Sequence, residues 1–278
     1  MSNPSSVDLA SAAPLVLVGA GKMGGAMLAG WIARGLPRDG TVLVDPALYP
    51  EMADFVAKHQ LRHETSVPAD LKAGVIVLAV KPQVLDSVLP ALRALIGPET
   101  VVLSIAAGKT IATMEEGLGP CAIVRAMPNT PAQVGRGISA AVANAATNDR
   151  QKALVDALLS AVGRVDWVTD EGLIDVVTAV SGSGPAYVFH MVEALAAAGL
   201  AAGLEPGMAA RLARATVEGA GELLFQSPLE PAVLRQNVTS PKGTTAAALE
   251  ILMGPDGLTE LMTKAVAAAA NRSRELAG

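Results

Sequence analysis

Cysteine, histidine and aromatic side chains are all scarce in this sequence, and each scarcity removes a class of function. The single cysteine, Cys121, excludes an internal disulfide and a cysteine-built metal cluster. The three histidines, His59, His63 and His190, leave no set of ligands for zinc. His59 and His63 stand four apart with Gln60, Leu61 and Arg62 between them, and are read as a solvated helix end. Aromatic residues make up 3% of the chain, so its cores must be aliphatic and a base-stacking platform is not expected. A formal net charge of -5 offers no basic field to nucleic acid or to an anionic lipid surface. No apolar run approaches the roughly twenty residues of a membrane-spanning helix, and even residues 195–204 stop at Glu205 and Pro206. Residues 1–13 are small and polar, with neither the basic start nor the apolar stretch of a secretory signal. They are expected to form a flexible tail on a cytoplasmic protein.

What the chain does have is length for two domains and an aliphatic, alanine-rich composition that is 51% hydrophobic over 278 residues. Its most informative stretch is the run LVLV at 15–18, which feeds directly into Gly19, Gly21 and Gly24 at G-x-G-x-x-G spacing. A continuous aliphatic run reads as a buried parallel strand. Glycines after it permit a tight turn and let the backbone approach a pyrophosphate at the N-terminus of the next helix. That helix shows in Met27, Leu28, Trp31 and Ile32, which share one face. Asp45 closes a second apolar run, TVLV at 41–44, where a carboxylate accepts hydrogen bonds from an adenosine ribose and repels a 2′-phosphate. With no arginine in 46–52, NADH is expected to serve at least as well as NADPH. The competing reading of the glycines is a tight turn in an unrelated α/β protein.

Further strands are expected at 75–80, 100–105, 122–124, 137–143 and 164–168, with helices at 52–58, 84–95, 111–118 and 154–161 between them. Repeated βα units with short connections imply an α/β fold with a doubly wound parallel sheet, its ligands at the carboxyl ends of the strands. From Thr169 onward the β-branched runs vanish and alanine-rich helical segments take over, so a dinucleotide-binding domain is expected at 14–168 and an all-helical domain at 169–278. Helices apolar on most sides must be covered. A dimer is therefore expected to bury them, in preference to a monomeric helical domain.

Chemistry is concentrated in a few loops. Val80, Lys81 and Pro82 follow the third strand, and Ala106, Ala107 and Gly108 the fourth, where the nicotinamide half of a dinucleotide lies. Lys81 suits a phosphate or ribose contact, and suits equally an exposed strand end. Residues 125–131 hold Pro128 and Pro131 around Asn129, a rigid loop at the ligand edge or simply a rigid turn. In the helical half, Ser181, Gly182, Ser183, Gly184 and Pro185 open a long helix, with glycines that suggest close backbone approach. Residues 240–245, SPKGTT, open another; such an end attracts a carboxylate, and ordinary capping by Ser or Thr is the alternative. Glu171 beside Asp170 fits a helix first turn on dipole grounds alone.

Taken together, residues 15–24, Ala79 to Pro82, Ser104 to Gly108, Arg125 to Pro131, Ser181 to Pro185 and Ser240 to Thr245 resemble the pyrroline-5-carboxylate reductase family, in the family's order and over nearly the whole chain. The resemblance implies a Rossmann domain, an all-α dimerisation domain, and NADPH- or NADH-dependent reduction of 1-pyrroline-5-carboxylate to L-proline. It also implies homodimers that assemble further, commonly as five dimers. By position it implies Gly19, Ala20, Gly21, Lys22, Met23, Gly24, Val80, Lys81, Pro82 and Ala107 as dinucleotide contacts, with Asn237 from the helical domain. Around the substrate it implies Glu171, Gly243, Thr244 and Thr245, with the Thr245 hydroxyl bonded to the ring nitrogen. The chain departs from the family at Lys242, where glycine is usual, and at Ser66, where an asparagine often meets the adenosine end. Two rivals differ in class. A β-hydroxyacid dehydrogenase-like enzyme would use a lysine on the helix after a glycine-rich segment, and 184–195 contains none. A non-catalytic dinucleotide-sensing module would have no use for the 240–245 loop. His190, one turn beyond Pro185, reads as a helix-interface residue or a proton source.

Overall fold

The computed structural model of the protein describes residues 7–277. It divides into two compact units, Met1–Gly182 with Ala270–Gly278, and Ser183–Ala269.

The first unit is a three-layer α/β fold. Strands β1 (Leu15–Val18), β2 (Thr41–Val44), β3 (Arg62–Glu64), β4 (Val75–Leu78), β5 (Val101–Ser104), β6 (Ala122–Met127), β7 (Gly137–Ala143) and β8 (Gly163–Trp167) form one sheet in the order β3-β2-β1-β4-β5-β6-β7-β8. Between them run α1 (Lys22–Ala33), α2 (Pro50–His59), α3 (Pro82–Leu92), α4 (Ile111–Leu118) and α5 (Asp149–Ser160), and α6 (Leu173–Val177) follows β8. Strands β1, β2, β4 and β5 are buried along their whole length, which is why they read as unbroken aliphatic runs. Their alternation splits the core. Leu15, Leu17, Val75 and Val77 pack with Met27, Trp31, Val155 and Leu158 of α1 and α5. Val16, Val18, Ile76 and Leu78 pack with Leu85, Leu89, Met114 and Ile174 of α3, α4 and α6. The Trp31 indole N–H is satisfied inside the first cluster by the Leu158 carbonyl at 2.8 Å.

Several expectations are corrected. The sheet is parallel from β3 to β6, but β7 lies antiparallel to β6, with β8 parallel to β7. Only residues 128–136 join β6 to β7, too few for the crossover that a parallel pair needs. Strand β6 also continues through Arg125 to Met127, so the rigid loop begins later than expected. The edge strand β3 was not anticipated; it carries His63, while His59 ends α2. Of the expected flexible tail, residues 1–6 lie outside the described residues. Leu9–Ala12 form a 3-10 turn whose Leu9 and Ala12 are buried in the core.

By compactness the division lies at 182/183, because Ile174 of α6 is buried beneath the sheet and α6 packs on β6 and β7. Helix α6 runs into a π-helical turn, Thr178–Gly182, so the Ser181 to Pro185 segment straddles the two units rather than simply opening a helix. The approach expected of its glycines is realised at Gly182, where a Cβ would lie 2.9 Å from Met127 Cε.

The second unit is helical: α7 (Gly184–Ala201), α8 (Pro206–Gln226), α9 (Pro231–Asn237), α10 (Thr244–Leu252) and most of α11 (Leu258–Ala277). Helices α7 and α8 form a hairpin in which Gly199 faces Leu204 and Ala209. None of the residues of α7, α9 or α10 is buried. Among the described residues, no helix is long and apolar enough to cross a membrane, and no cluster of three His, Cys, Asp or Glu could hold a metal.

Candidate active site

Strand order reverses between β1 and β4, which opens a crevice at their carboxyl ends. The loops leaving these strands touch. Gly19 has φ 93°, and a Cβ there would sit 2.8 Å from the Ala79 carbonyl oxygen and 2.9 Å from Val80 Cγ1. At Gly24 a Cβ would overlap the Gly19 carbonyl, so this glycine lets α1 lie close on β1. Gly21 differs from both. Its φ of -63° suits any residue, and a Cβ would meet nothing within 4 Å. The fold itself makes no demand for glycine there, and the space in front of it is open. Helix α1 begins beside it with no side-chain cap and no acidic residue in its first turn, an electropositive end that fits a pyrophosphate. Ala20, Lys22 and Met23 complete this turn, with the Lys22 ammonium held 4.8 Å above the Tyr49 ring.

Asp45 braces the turn. Its Oδ2 accepts the Ala20 N–H at 2.8 Å and its Oδ1 accepts the Ala47 N–H at 2.9 Å. The Asp45 carbonyl lies 2.8 Å from His63 Nε2. Ser66 is exposed, two residues past β3. Beyond β4, Val80 is half-buried, Lys81 is exposed, and Pro82 begins α3. Ala107 is exposed after β5, and Gly108 beside it is left-handed at φ 68°. The dinucleotide residues expected in the first unit therefore gather on the carboxyl edge of β1, β2, β4 and β5, and their shape and charge fit such a cofactor.

Glu171 belongs to the first unit as well. Its Oε1 accepts from Arg125 Nη1 at 2.7 Å and from the Ile111 N–H at 2.9 Å. Neither partner was anticipated for it. The signal in the sequence was an arginine inside an otherwise apolar strand, AIVRAM, since a buried guanidinium requires a carboxylate. Asn129 is also engaged: it is buried, donates to the Ser181 carbonyl at 3.1 Å and accepts the Ile138 N–H at 2.9 Å.

In the second unit Asn237 is the exposed last residue of α9. The 240–245 loop makes a tight turn, with the Gly243 N–H bonded to the Ser240 carbonyl at 3.0 Å. Lys242 adopts φ 59°, a left-handed conformation that a glycine would reach without strain. A Cβ on Gly243 would lie 3.1 Å from the Ser240 carbonyl oxygen and would make the Ser240 hydroxyl turn away, so the loop packs closely at this glycine. Gly243 then precedes α10 with no side-chain cap bond, and the first turn carries no acidic residue. Ordinary capping by a serine or threonine hydroxyl is thus not what this end does. Thr244 is exposed and Thr245 half-buried at the start of the helix. His190 is 80% exposed and bonded to Glu193 at 3.1 Å, not buried in a helix interface of its own chain.

Comparison with known proteins places both units. The family described as pyrroline-5-carboxylate reductase dimerisation matches residues 171–276. The family described as NADP oxidoreductase coenzyme F420-dependent matches residues 14–108. A pyrroline-5-carboxylate reductase of Pseudomonas aeruginosa is 41% identical over 265 residues, covering 95% of this chain and 96% of that protein. A solved pyrroline-5-carboxylate reductase from Coxiella burnetii superposes with a TM-score of 0.88 at 36% identity, over 96% of this chain and 99% of the other. The Plasmodium falciparum pyrroline carboxylate reductase, solved with NADP bound, gives a TM-score of 0.79 at 29% identity, over 96% and 98%. On this similarity over nearly its full length, the chain belongs to the pyrroline-5-carboxylate reductase family.

Proposed function

We propose that this protein reduces 1-pyrroline-5-carboxylate to L-proline with NADPH or NADH, the last step of proline biosynthesis. What carries the reading is the similarity to reductases of that name over nearly the full chain. Supporting it are the starts of α1 and α10, one in each unit, each with no side-chain cap and no acidic residue in its first turn and so suited to an anion. A bound nicotinamide dinucleotide supplies hydride to the imine carbon. Gly19 to Gly24 receive its pyrophosphate, Asp45 and Ser66 lie at the adenosine end, and Val80, Lys81, Pro82 and Ala107 flank the nicotinamide half. Asn237 is a further cofactor contact.

The substrate carboxylate rests on the backbone N–H groups at the start of α10, framed by Gly243, Thr244 and Thr245. The Thr245 hydroxyl hydrogen-bonds the ring nitrogen and fixes which face of the ring is presented. When the substrate arrives as an iminium, the electron pair of the C=N bond moves onto a nitrogen that already holds its proton. No strong protein acid is then required, which agrees with the exposed position of His190. The enzyme works as a cytoplasmic homodimer through its helical domain, with five dimers forming a decamer.

The purified chain incubated with 1-pyrroline-5-carboxylate and NADPH is expected to consume NADPH and release proline in equal amounts. A folded protein that binds NADPH but forms no proline would replace this reading with that of a dinucleotide sensor.

A further inference from the structure

The loop after β5 carries Ala107, which the reductase reading places beside the nicotinamide half of the cofactor. Next to it Gly108 adopts φ 68°, and a Cβ there would lie 3.2 Å from the Leu276 carbonyl oxygen in the last turn of α11. Two separate reasons therefore keep a side chain off this position: the left-handed backbone and the helix end that abuts it.

Leu276 does not anchor that helix end by its own side chain, since the residue is 63% exposed. One turn earlier Ser273 is buried, and its hydroxyl donates to Asp175 Oδ1 in α6 at 2.6 Å. Ala270, a further turn back, is buried as well. Helix α11 is thus divided along its length: most of it belongs to the helical unit, while its residues from Ala270 onward belong to the α/β unit. The loop has a second tether, because Lys109 Nζ bonds Asp86 Oδ2 of α3 at 2.7 Å. Asp86 is 61% exposed, however, and an ion pair so open to water contributes little. The bond from the buried Ser273 hydroxyl to a carboxylate is the firmer of the two.

We propose that Ser273 is a positioning residue for the cofactor: through Asp175 it seats the last turn of α11 against Gly108 and so sets the path of the loop after β5. The proposal rests on the reductase reading above for the identity of the cofactor and the place of its nicotinamide. Its consequence is that damage at Ser273 is felt by one half of the dinucleotide. The adenosine half lies at the glycine turn and Asp45, which are braced by other bonds.

Calorimetric titration of the purified, substrate-free protein tests this, using NADPH and, separately, adenosine 2′,5′-bisphosphate, which lacks the nicotinamide half. Ser273→Ala is expected to weaken NADPH binding by about fivefold, less than the loss of a hydrogen bond to a charged group in full, because the Lys109 tether remains. Binding of the bisphosphate should stay within about twofold of wild type, little change on the same affinity scale. Ser273→Thr keeps the hydroxyl and should recover most of the loss. Asp175→Ala should reproduce the Ser273→Ala profile, and the double variant should lose no more than either single one, since both remove the same bond. Equal weakening of NADPH and the bisphosphate would mark a general loosening of the fold and overturn the proposal. Unchanged NADPH affinity with a lowered melting temperature alone would reduce the bond to a structural one and overturn it equally. If Ser273→Ala does not fold, Asp175→Ala carries the test on the same terms. Absence of proline formation by a wild type that binds both probes would strike the reductase reading alone, since the titrations stand without it.

Discussion

At the residue scale, Asp45 shows how one carboxylate takes on a task that strand position alone does not reveal. Read from its place after β2, it faces a ribose and discourages a 2′-phosphate. In the folded protein its two oxygens also accept the N–H groups of Ala20 and Ala47, so it braces the glycine turn. Replacing it should therefore weaken both dinucleotides and not merely exchange one for the other. For Asp45→Ala we expect binding of NADH and NADPH each to fall by about tenfold, the scale of a lost hydrogen bond to a charged group. Improved NADPH binding in that variant, with NADH affinity intact, would assign the carboxylate to the ribose alone. Thr245 presents the contrasting case of a residue whose worth appears in the chemical step. In the proposed mechanism its bond to the ring nitrogen would change character as the C=N bond is reduced, so kcat and kcat/KM should fall together. A hydrogen bond to a charged group contributes about 1.5–3 kcal/mol, so Thr245→Ala should lose about ten- to a hundredfold in kcat/KM. Dinucleotide affinity in that variant should remain that of the wild type.

At the scale of the element, helix starts in this protein divide by what satisfies them. Helix α5 carries a full capping box between Asn148 and Gln151, and Thr110 caps α4. Helix α8 uses Glu205, whose carboxylate accepts the Gly207 and Met208 N–H groups at 2.9 Å each. Those bonds, Gly207 first, pull the Glu205 carboxyl below its ordinary value. A lowered folded-state value means stabilisation that is present above the unfolded carboxyl range and lost as pH falls through the folded one. Glu205→Gln should accordingly lower the melting temperature at neutral pH, and the gap from wild type should close on acidification below the usual carboxylate range. A gap that stays constant with pH would assign the effect to packing. Helices α2, α3, α6, α7 and α9 also start without a side-chain cap, but each has a proline or an acidic residue in its first turn. Helices α1 and α10 have neither, and these are the two ends assigned here to ligand anions.

At the scale of the whole molecule, the helical unit exposes more apolar surface than one chain can account for. Phe189 is 65% exposed, Ile251 78% and Leu223 64%. Gly219 and Gly221 lie inside α8 where an added Cβ would meet nothing beyond the helix's own backbone within 4 Å, although mid-helix glycine costs about 1 kcal/mol relative to alanine. Both features suit a surface on which another helix packs closely, in keeping with a family defined by its dimerisation. Phe189→Asp should place a charge on that surface, and light scattering should then show a monomer that has lost turnover. An undiminished dimer with full activity would move the interface elsewhere.

Periodicity and punctuation in the sequence were enough to determine the α/β order, the glycine turn, Asp45 at the end of β2 and the change to helix after the sheet, because each rests on residues close together in the chain. Leu15 to Val18 read as a buried strand from their unbroken aliphatic run, and Gly21 falls in the glycine turn by spacing alone. Tertiary structure decided what depends on distant partners. The direction of β7 followed from the shortness of its connection to β6. The burial of Leu9 and Ala12 came from a core assembled by later segments. Lys242 took a left-handed conformation that its neighbours impose and its own side chain does not favour. Glu171 acquired its partners across sequence separations of 46 and 60 residues, and only the packing of α4 and α6 on β6 brings a buried arginine and a helix N–H to one carboxylate oxygen.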